Sequence, residues 1–479
     1  MLRVNGRARK NETLQVFLLL FGVKIVGLLI DPTIRLFFGD SGGYFATALL
    51  GWIPNDRSFL YGYIIRYTAF AAHDLLALVV FQSLLGAGTA CLLFRILRES
   101  FGAVHVTALL FALALALEPA QLFYERMLMA ECVGTAAYAC MLYAGFAFLR
   151  RPHWAWPLLW ALAGIAAVSM RMSLLPMVLG FAALPVLVAM TVVQSWRKAL
   201  RMSAYLVLAI AATATLHSGY KHLSGRLGGF KADYIKDNGL FRLGLIAPLV
   251  KPEHLACAGL PPDLLDHVGP KLSDPRAREA QIWSDDGLIP LVRAASHDNP
   301  RVAKKLATCA IRANPLGLVG LAWSTLGDYF DPREVWNRIG DDVGYRPADD
   351  DLIEKLRACC NYDVRGFEKK KNPVARYFAA SPPWLTACYF GLIPLALIVL
   401  VAQWSRARAP ALLLALCCFG QFLSTALFSH IVSFRYLHPI PLLVFLCLGA
   451  ISAALMNRDG NAVQDTKDRL ETVSRDAPA

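Results

Sequence analysis

The feature that most restricts what this chain can fold into is a series of long, nearly uncharged apolar runs. They fall near 14–30, 75–97, 103–118, 127–149, 155–170, 174–194, 201–218, 384–403, 410–428 and 433–456. As a helix, a run of about 18 residues reaches across the roughly 30 Å hydrocarbon layer of a bilayer. In lipid the backbone must satisfy its own hydrogen bonds, which a helix does and an open strand does not. The expected fold is therefore an all-α polytopic membrane protein with about ten transmembrane helices. Composition agrees, since only 17% of the residues are charged and the mean hydropathy is +0.46.

Basic residues beside the runs set the expected orientation, because short loops rich in Lys and Arg stay in the cytoplasm. Arg3, Arg7, Arg9 and Lys10 precede the first run, while Arg95, Arg98, Arg150 and Arg151 follow the second and fourth. Arg197, Lys198 and Arg201 follow the sixth, Arg406 and Arg408 the eighth, and Arg458 the tenth. Every even-numbered exit is basic, so both termini are expected in the cytoplasm. The first run carries no small-residue cleavage site and reads as a retained anchor. The net charge of +13 is no nucleic-acid signal. Residues 219–380 hold 24 basic and 21 acidic side chains, and the remaining excess sits mainly in short loops and termini.

The expected organisation is an N-terminal membrane module, 1–218, with about seven spans, and an extracytoplasmic loop domain, 219–383. A C-terminal module of about three spans, 384–456, and a disordered cytoplasmic tail, 457–479, complete it. The loop domain reads as helices lying on the membrane domain, a lid or acceptor platform, with Pro300, Pro315 and Pro332 punctuating its helical stretches. Two further segments leave on the same side: 31–74, and the corner 118–131. Seven of the eleven cysteines lie in spans as small apolar residues. Cys257, Cys309, Cys359 and Cys360 lie in the large loop, where one or two disulfides are expected if it is extracytoplasmic. No CxxC spacing appears.

Several polar groups stand where apolar runs meet these segments. Asp40, in Gly39-Asp40-Ser41-Gly42-Gly43-Tyr44, opens a helical stretch from Phe45 to Trp52, as an N-cap, a chemical group, or both. The corner carries Glu118, Glu125, Arg126 and Glu131. Glu125 and Arg126 read as interfacial and solvated, whereas Glu131 sits inside an apolar run, where a charge faces a cavity or a partner. Arg171 breaks the cytoplasmic bias, as a snorkelling anchor or a ligand group, and Lys24 within the first run is expected to snorkel or pair with a carboxylate. The last run opens with His430, Arg435, Tyr436, His438 and Pro439, either an interfacial belt or a basic pocket for phosphate. Asp341-Asp342 and Asp349-Asp350-Asp351 read as a solvated surface, with a divalent metal as the alternative.

Taken together, Asp40-Ser41-x-x-Tyr44, the corner carboxylate and Arg435-Tyr436-x-x-Pro439 resemble the GT-C superfamily of membrane glycosyltransferases that use polyprenyl-phosphate sugars. That superfamily includes protein O-mannosyltransferases and the lipid A aminoarabinose transferase. The likeness covers about 10–456. It departs at Ser41, where several of those families carry a second acidic residue. It implies an inverting transferase of the bacterial inner membrane, acting on its periplasmic face without a cofactor. Asp40 would be the general base, with Arg435 and Arg171 or Arg126 on the departing phosphate. Tyr44, Glu131, Tyr436 and His438 would contact donor or acceptor. The expected partners are a polyprenyl-phosphate-linked sugar, a lipid, glycan or protein acceptor, and membrane lipids, with no nucleic acid. An O-antigen ligase-like enzyme and a transporter or lipid flippase are the alternatives.

Overall fold

The computed structural model describes residues 6–37, 40–343, 350–363 and 372–456. Arg3, Gly39, Asp349, Arg458 and the tail 457–479 lie outside the described residues. The chain begins with α1 (Gly6–Ile30), and its first loop holds α2 (Ser41–Leu50) and α3 (Leu60–Ile65). α4 (Leu75–Ser100) and α5 (His105–Ala116) lead to the corner, which contains α6 (Pro119–Tyr124). α7 (Glu131–Arg150), α8 (Ala155–Met170), α9 (Leu175–Gly180), α10 (Leu184–Met190) and α11 (Trp196–Gly228) follow. The large segment comprises α12 (Asn238–Leu245), α13 (Pro252–Ala258), α14 (Arg278–Trp283), α15 (Leu288–Ala295) and α16 (Pro300–Ala313). It continues through α17 (Gly317–Asp328), α18 (Pro332–Val343), α19 (Asp350–Cys360) and α20 (Pro373–Ala379). α21 (Pro382–Gln403), α22 (Arg408–Phe428) and α23 (Phe434–Met456) complete the bundle.

Among the described residues the protein is helical, with an isolated bridge between Arg35 and Met127 as its β pairing. Eight stretches are long and apolar enough to cross a membrane: α1, α4, α7, α9–α10, α11, α21, α22 and α23. The bent pair α16–α17 makes a ninth if taken as one span. That number, eight or nine, lies within the range of the expected count of about ten. The other two apolar runs are α5 and α8, of only 12 and 16 residues. The run at 174–194 is not one helix either. Pro176, Gly180 and Pro185 divide it into α9 and α10, because proline lacks the amide that would continue the ladder.

The main apolar core joins α4, α5, α7 and α8 to α21, α22 and α23. Small residues on α7, such as Ala136, Ala139, Ala144 and Ala147, are buried and let neighbouring helices approach closely. α11 differs from the rest, with 33 residues and a length of about 50 Å. That exceeds the roughly 30 Å needed to cross, so its C-terminal turns stand beyond the bundle and carry the large segment. There Tyr220 stacks on Phe59 at 6.0 Å and its hydroxyl lies 3.0 Å from Ser58 Oγ, tying α11 to the first loop. A disulfide, Cys257–Cys309, joins α13 to α16, while Cys359 and Cys360 are free thiols.

Backbone contacts gather the loops on one side of the bundle, the loop face. Asp237 N–H donates to Asn55 C=O at 2.9 Å, and Arg35 Nη1 donates to Val343 C=O at 2.9 Å. Phe434 N–H donates to Asp342 at 3.2 Å. α2 and α3 pack so closely that a Cβ at Gly62 would lie 2.9 Å from the Tyr44 carbonyl and overlap Thr47. We expect Gly62→Ala to lower stability by about 1–3 kcal/mol, the usual cost of overpacking, measured by thermal unfolding in detergent. A neutral result would mean that α3 moves freely relative to α2.

Candidate functional site

A cavity of about 1110 Å³ opens on the loop face, between the bundle and the large segment. It is as large as the upper range of small-molecule sites, roughly 300–1,000 Å³. Its membrane end is charged. Asp40 ends the first loop's approach to α2, and its two oxygens each meet a guanidinium. Arg57 Nη1 lies 2.9 Å from one and Arg435 Nη1 2.9 Å from the other. Asp40 occupies the N-cap position of α2 but its side chain makes no capping hydrogen bond. Ser41 does the local fastening instead: Phe37 N–H donates to Ser41 Oγ at 2.9 Å, and that hydroxyl donates to Leu128 C=O at 2.9 Å. The Asp40 carboxylate is therefore left to the cavity and its arginines.

Arg435 stands on the first turn of α23, over the rings of Phe37 at 5.0 Å and Tyr436 at 5.4 Å. Arg171 lies where α8 breaks before α9, and its Nη2 donates to the Arg435 carbonyl. Its Nη1 is buried with no hydrogen-bond partner among the described residues, and so is Glu131 Oε2 on the first residue of α7. Both side chains line the cavity. Arg171 is only 6% exposed, so the snorkelling alternative does not describe it. Tyr44 lines the same space, its ring beneath Arg57 at 5.7 Å and edge-on to Tyr61 at 4.8 Å. Burial first, then Asp40 and Glu131, raise the Tyr44 pKa, so its phenol stays protonated.

Of the residues selected from sequence, the structure brings together Asp40, Tyr44, Glu131, Arg171, Arg435 and Tyr436. Arg126 and His438 it places elsewhere. Arg126 is buried behind the cavity, its guanidinium donating to the carbonyls of Asp31 and Leu122 at 3.0 and 2.8 Å. His438 sits in a buried polar chain with Gln121 Oε1 at 3.0 Å and Thr135 Oγ1 at 3.1 Å. Gln121 donates in turn to Glu125, whose carboxylate pairs with Lys24 at 2.6 Å, both side chains fully buried. This overturns the reading of Glu125 and Arg126 as solvated interfacial charges. Lys24 has a carboxylate partner, and Gly86 on α4 leaves the room that Glu125 Oε1 occupies.

Asp342 was also read wrongly as surface. It is 5% exposed, holds the Phe434 amide and lines the cavity near Arg435. Burial pushes its pKa up to about 7, against the pull of Arg435 and of the Phe434 N–H. Arg57 was missed altogether, because its motif-free neighbourhood, Asn55-Asp56-Arg57-Ser58, reads as an ordinary polar turn. Burial opposes the Arg57 charge, but Asp40 and the Asp56 hydrogen bond outweigh it, so its pKa is raised. His430, also in the cavity, is held neutral, its pKa pushed down to about 3 by burial and by Arg278, Arg435 and Arg338. Among the described residues no three His, Cys, Asp or Glu side chains gather as a metal site.

No protein-family model and no curated protein matches the chain. Among solved structures, apo ArnT from Cupriavidus metallidurans aligns over 90% of this chain and 77% of its own, at 14% identity and a TM-score of 0.35.

Two outcomes test this geometry. Lys24→Met leaves the Glu125 charge buried alone and should cost about 3–5 kcal/mol, whereas Lys24→Met/Glu125→Leu should recover most of it. Equal losses in both, by chemical unfolding, would show that the pair is not an isolated charge balance. For Asp342 the folded pKa of about 7 exceeds the unfolded 3.8. The native state then holds the extra proton between those values, and stability falls as pH rises from about 4 to 7. Asp342→Asn should flatten that part of the unfolding profile; an unchanged slope would assign it to other groups.

Proposed function

We propose that the protein is a membrane glycosyltransferase that moves a sugar from a polyprenyl-phosphate donor to a hydroxyl of an envelope acceptor. The observation that carries this reading is the meeting of Asp40, Arg57 and Arg435 at the membrane end of one large cavity. A carboxylate beside a cluster of arginines suits a displacement whose leaving group is a phosphate. The acceptor oxygen bonds to the anomeric carbon as the bond from that carbon to the phosphate oxygen breaks. The bonding pair leaves with the phosphate, and Asp40 takes the hydroxyl proton. Attack from the face opposite the phosphate inverts the anomeric configuration.

Electrostatics order these events. Both Asp40 oxygens are engaged by arginine, Arg57 on one and Arg435 on the other. A phosphate competes for the same guanidiniums, because the planar Arg fork matches its oxygens. Donor entry thus draws Arg435 towards the phosphate and releases one Asp40 oxygen towards the acceptor. The buried, unpartnered Nη1 of Arg171 supplies a further donor where charge develops. Tyr44, Glu131 and Tyr436 are placed to orient the sugar or the acceptor.

In this reading the loop face is periplasmic in a bacterial inner membrane. The disulfide Cys257–Cys309 fits an oxidising compartment, and the basic exits, such as Arg95, Arg98, Arg406 and Arg408, end or begin spans away from the loops. The acceptor is a lipid, a glycan or a protein. A transporter or flippase would place its charges at mid-membrane in repeated halves, which the gathering of Asp40 and Arg435 on the loop face does not favour.

The test compares the unsubstituted protein with Asp40→Asn, supplied with a radiolabelled polyprenyl-phosphate hexose and crude envelope lipids. Transfer should fall at least about a hundredfold in the variant, with the folded fraction checked by thermal unfolding. Equal transfer by both would remove Asp40 as the base.

A further inference from the structure

We infer that α17 lies in the lipid interface on the loop face, with its outward side among acyl chains. The observation is an inverted helix. From Leu316 to Phe330 the exposed positions are Leu316, Val319, Gly320, Trp323, Gly327 and Phe330. They recur at helical spacing on one side, and none is polar. Leu316 and Trp323 are 78% and 76% exposed. Of its polar side chains, Ser324 is half-buried at the edge of this face, while Thr325 and Asp328 point the other way. Thr325 is buried, its hydroxyl meeting Arg278 and bonding the Leu321 carbonyl, and Asp328 is buried against Arg276 at 2.8 Å.

The preceding helix shows that this is not a general property of the large segment. α16 buries Ala303, Leu306, Ala307 and Ala310 and exposes Arg301, Lys304, Lys305 and Arg312, the pattern of a helix facing water. Between the two the chain turns through 96°, and the outward surface changes from basic to apolar. A contiguous apolar face of this kind on a water-exposed segment marks an interaction surface.

Its position identifies what covers it. Phe330 packs on Phe390 of α21, with ring centroids 4.7 Å apart. Phe390 is eight residues inside a membrane-crossing helix that begins at Pro382, about 12 Å along its axis. On the other side of α17, Thr325 approaches the Ser429 carbonyl at the end of α22, next to Leu427 and Phe428, which line the cavity. The apolar face of α17 therefore continues onto α21 at the depth of Phe390, inside a membrane-crossing helix. Trp336 on the following helix is 75% exposed beside polar Asn337, the setting of an interfacial tryptophan. With Leu318 of α17 lining the cavity, this helix forms a wall between the site and the bilayer.

The experiment places a nitroxide label at Trp323→Cys and, separately, at Gly320→Cys, where nothing crowds the added side chain. The full-length protein is held in phosphatidylcholine nanodiscs, and collisions with oxygen and with a water-soluble nickel complex are compared. Val401→Cys on the exposed face of α21 gives the lipid reference and Lys305→Cys the water reference; the unsubstituted protein, treated identically, gives the background of its native cysteines. Labels at 320 and 323 should show the high oxygen-to-nickel ratio of Val401→Cys. A ratio matching Lys305→Cys overturns the inference, because the face would be in water. Shielding from both reagents overturns it too, since protein, such as a second copy of the chain, would then cover the face.

Discussion

The two ion pairs of Asp40 join parts of the chain that are almost as far apart as its length allows. Arg57 comes from the same loop, but Arg435 lies 395 residues away on the last helix. For the carboxylate to meet that guanidinium, α23 must bring its first turn to the start of α2. The bundle in between fixes that separation. Arg171 helps from a third direction by holding the Arg435 carbonyl, and Asp342 from a fourth by holding the Phe434 amide. The site is thus assembled from five segments: the first loop with Asp40 and Arg57, α7 with Glu131, the α8–α9 junction with Arg171, α18 with Asp342, and α23 with Arg435.

Beneath it, the buried pair of Lys24 and Glu125 serves the same geometry in a different way. A charge in this interior is tolerable only when its partner and its remaining hydrogen bonds are supplied. Gln121 supplies the hydrogen bonds and extends the chain to His438, one turn along from Arg435. α1, the corner and α23 are consequently locked to one another just behind the cavity wall. His438 and Arg126 belong to this support rather than to the cavity, although Arg435 and Tyr436, just before His438, line it.

What could be read from sequence follows from how local each signal is. The apolar runs are local, because crossing a bilayer demands length and composition from one continuous segment. They coincide with the eight long apolar stretches and with the two shorter apolar helices, α5 and α8. Asp40, Arg171 and Arg435 were legible as charges set against apolar neighbours, a placement that needs a reason. Arg57 and Asp342 gave no such warning, since polar loop residues are ordinary until a fold buries them. Glu125 and Arg126 failed in the opposite sense. Their corner looked solvated, and only packing by α1, α4 and α23 removes the water.

The sequence by itself determined that this is a helical membrane chain, where its long spans lie, and that its unusual charges cluster at one end of them. These properties depend on the solvent each segment must satisfy, so composition and length carry them. Tertiary structure alone decided which charges share a cavity, which are paired behind it, and which face of α17 looks outward. Those are relations between side chains brought together from distant segments, and helical periodicity describes one helix at a time. It shows that a helix has two faces; only the neighbours show which face is covered.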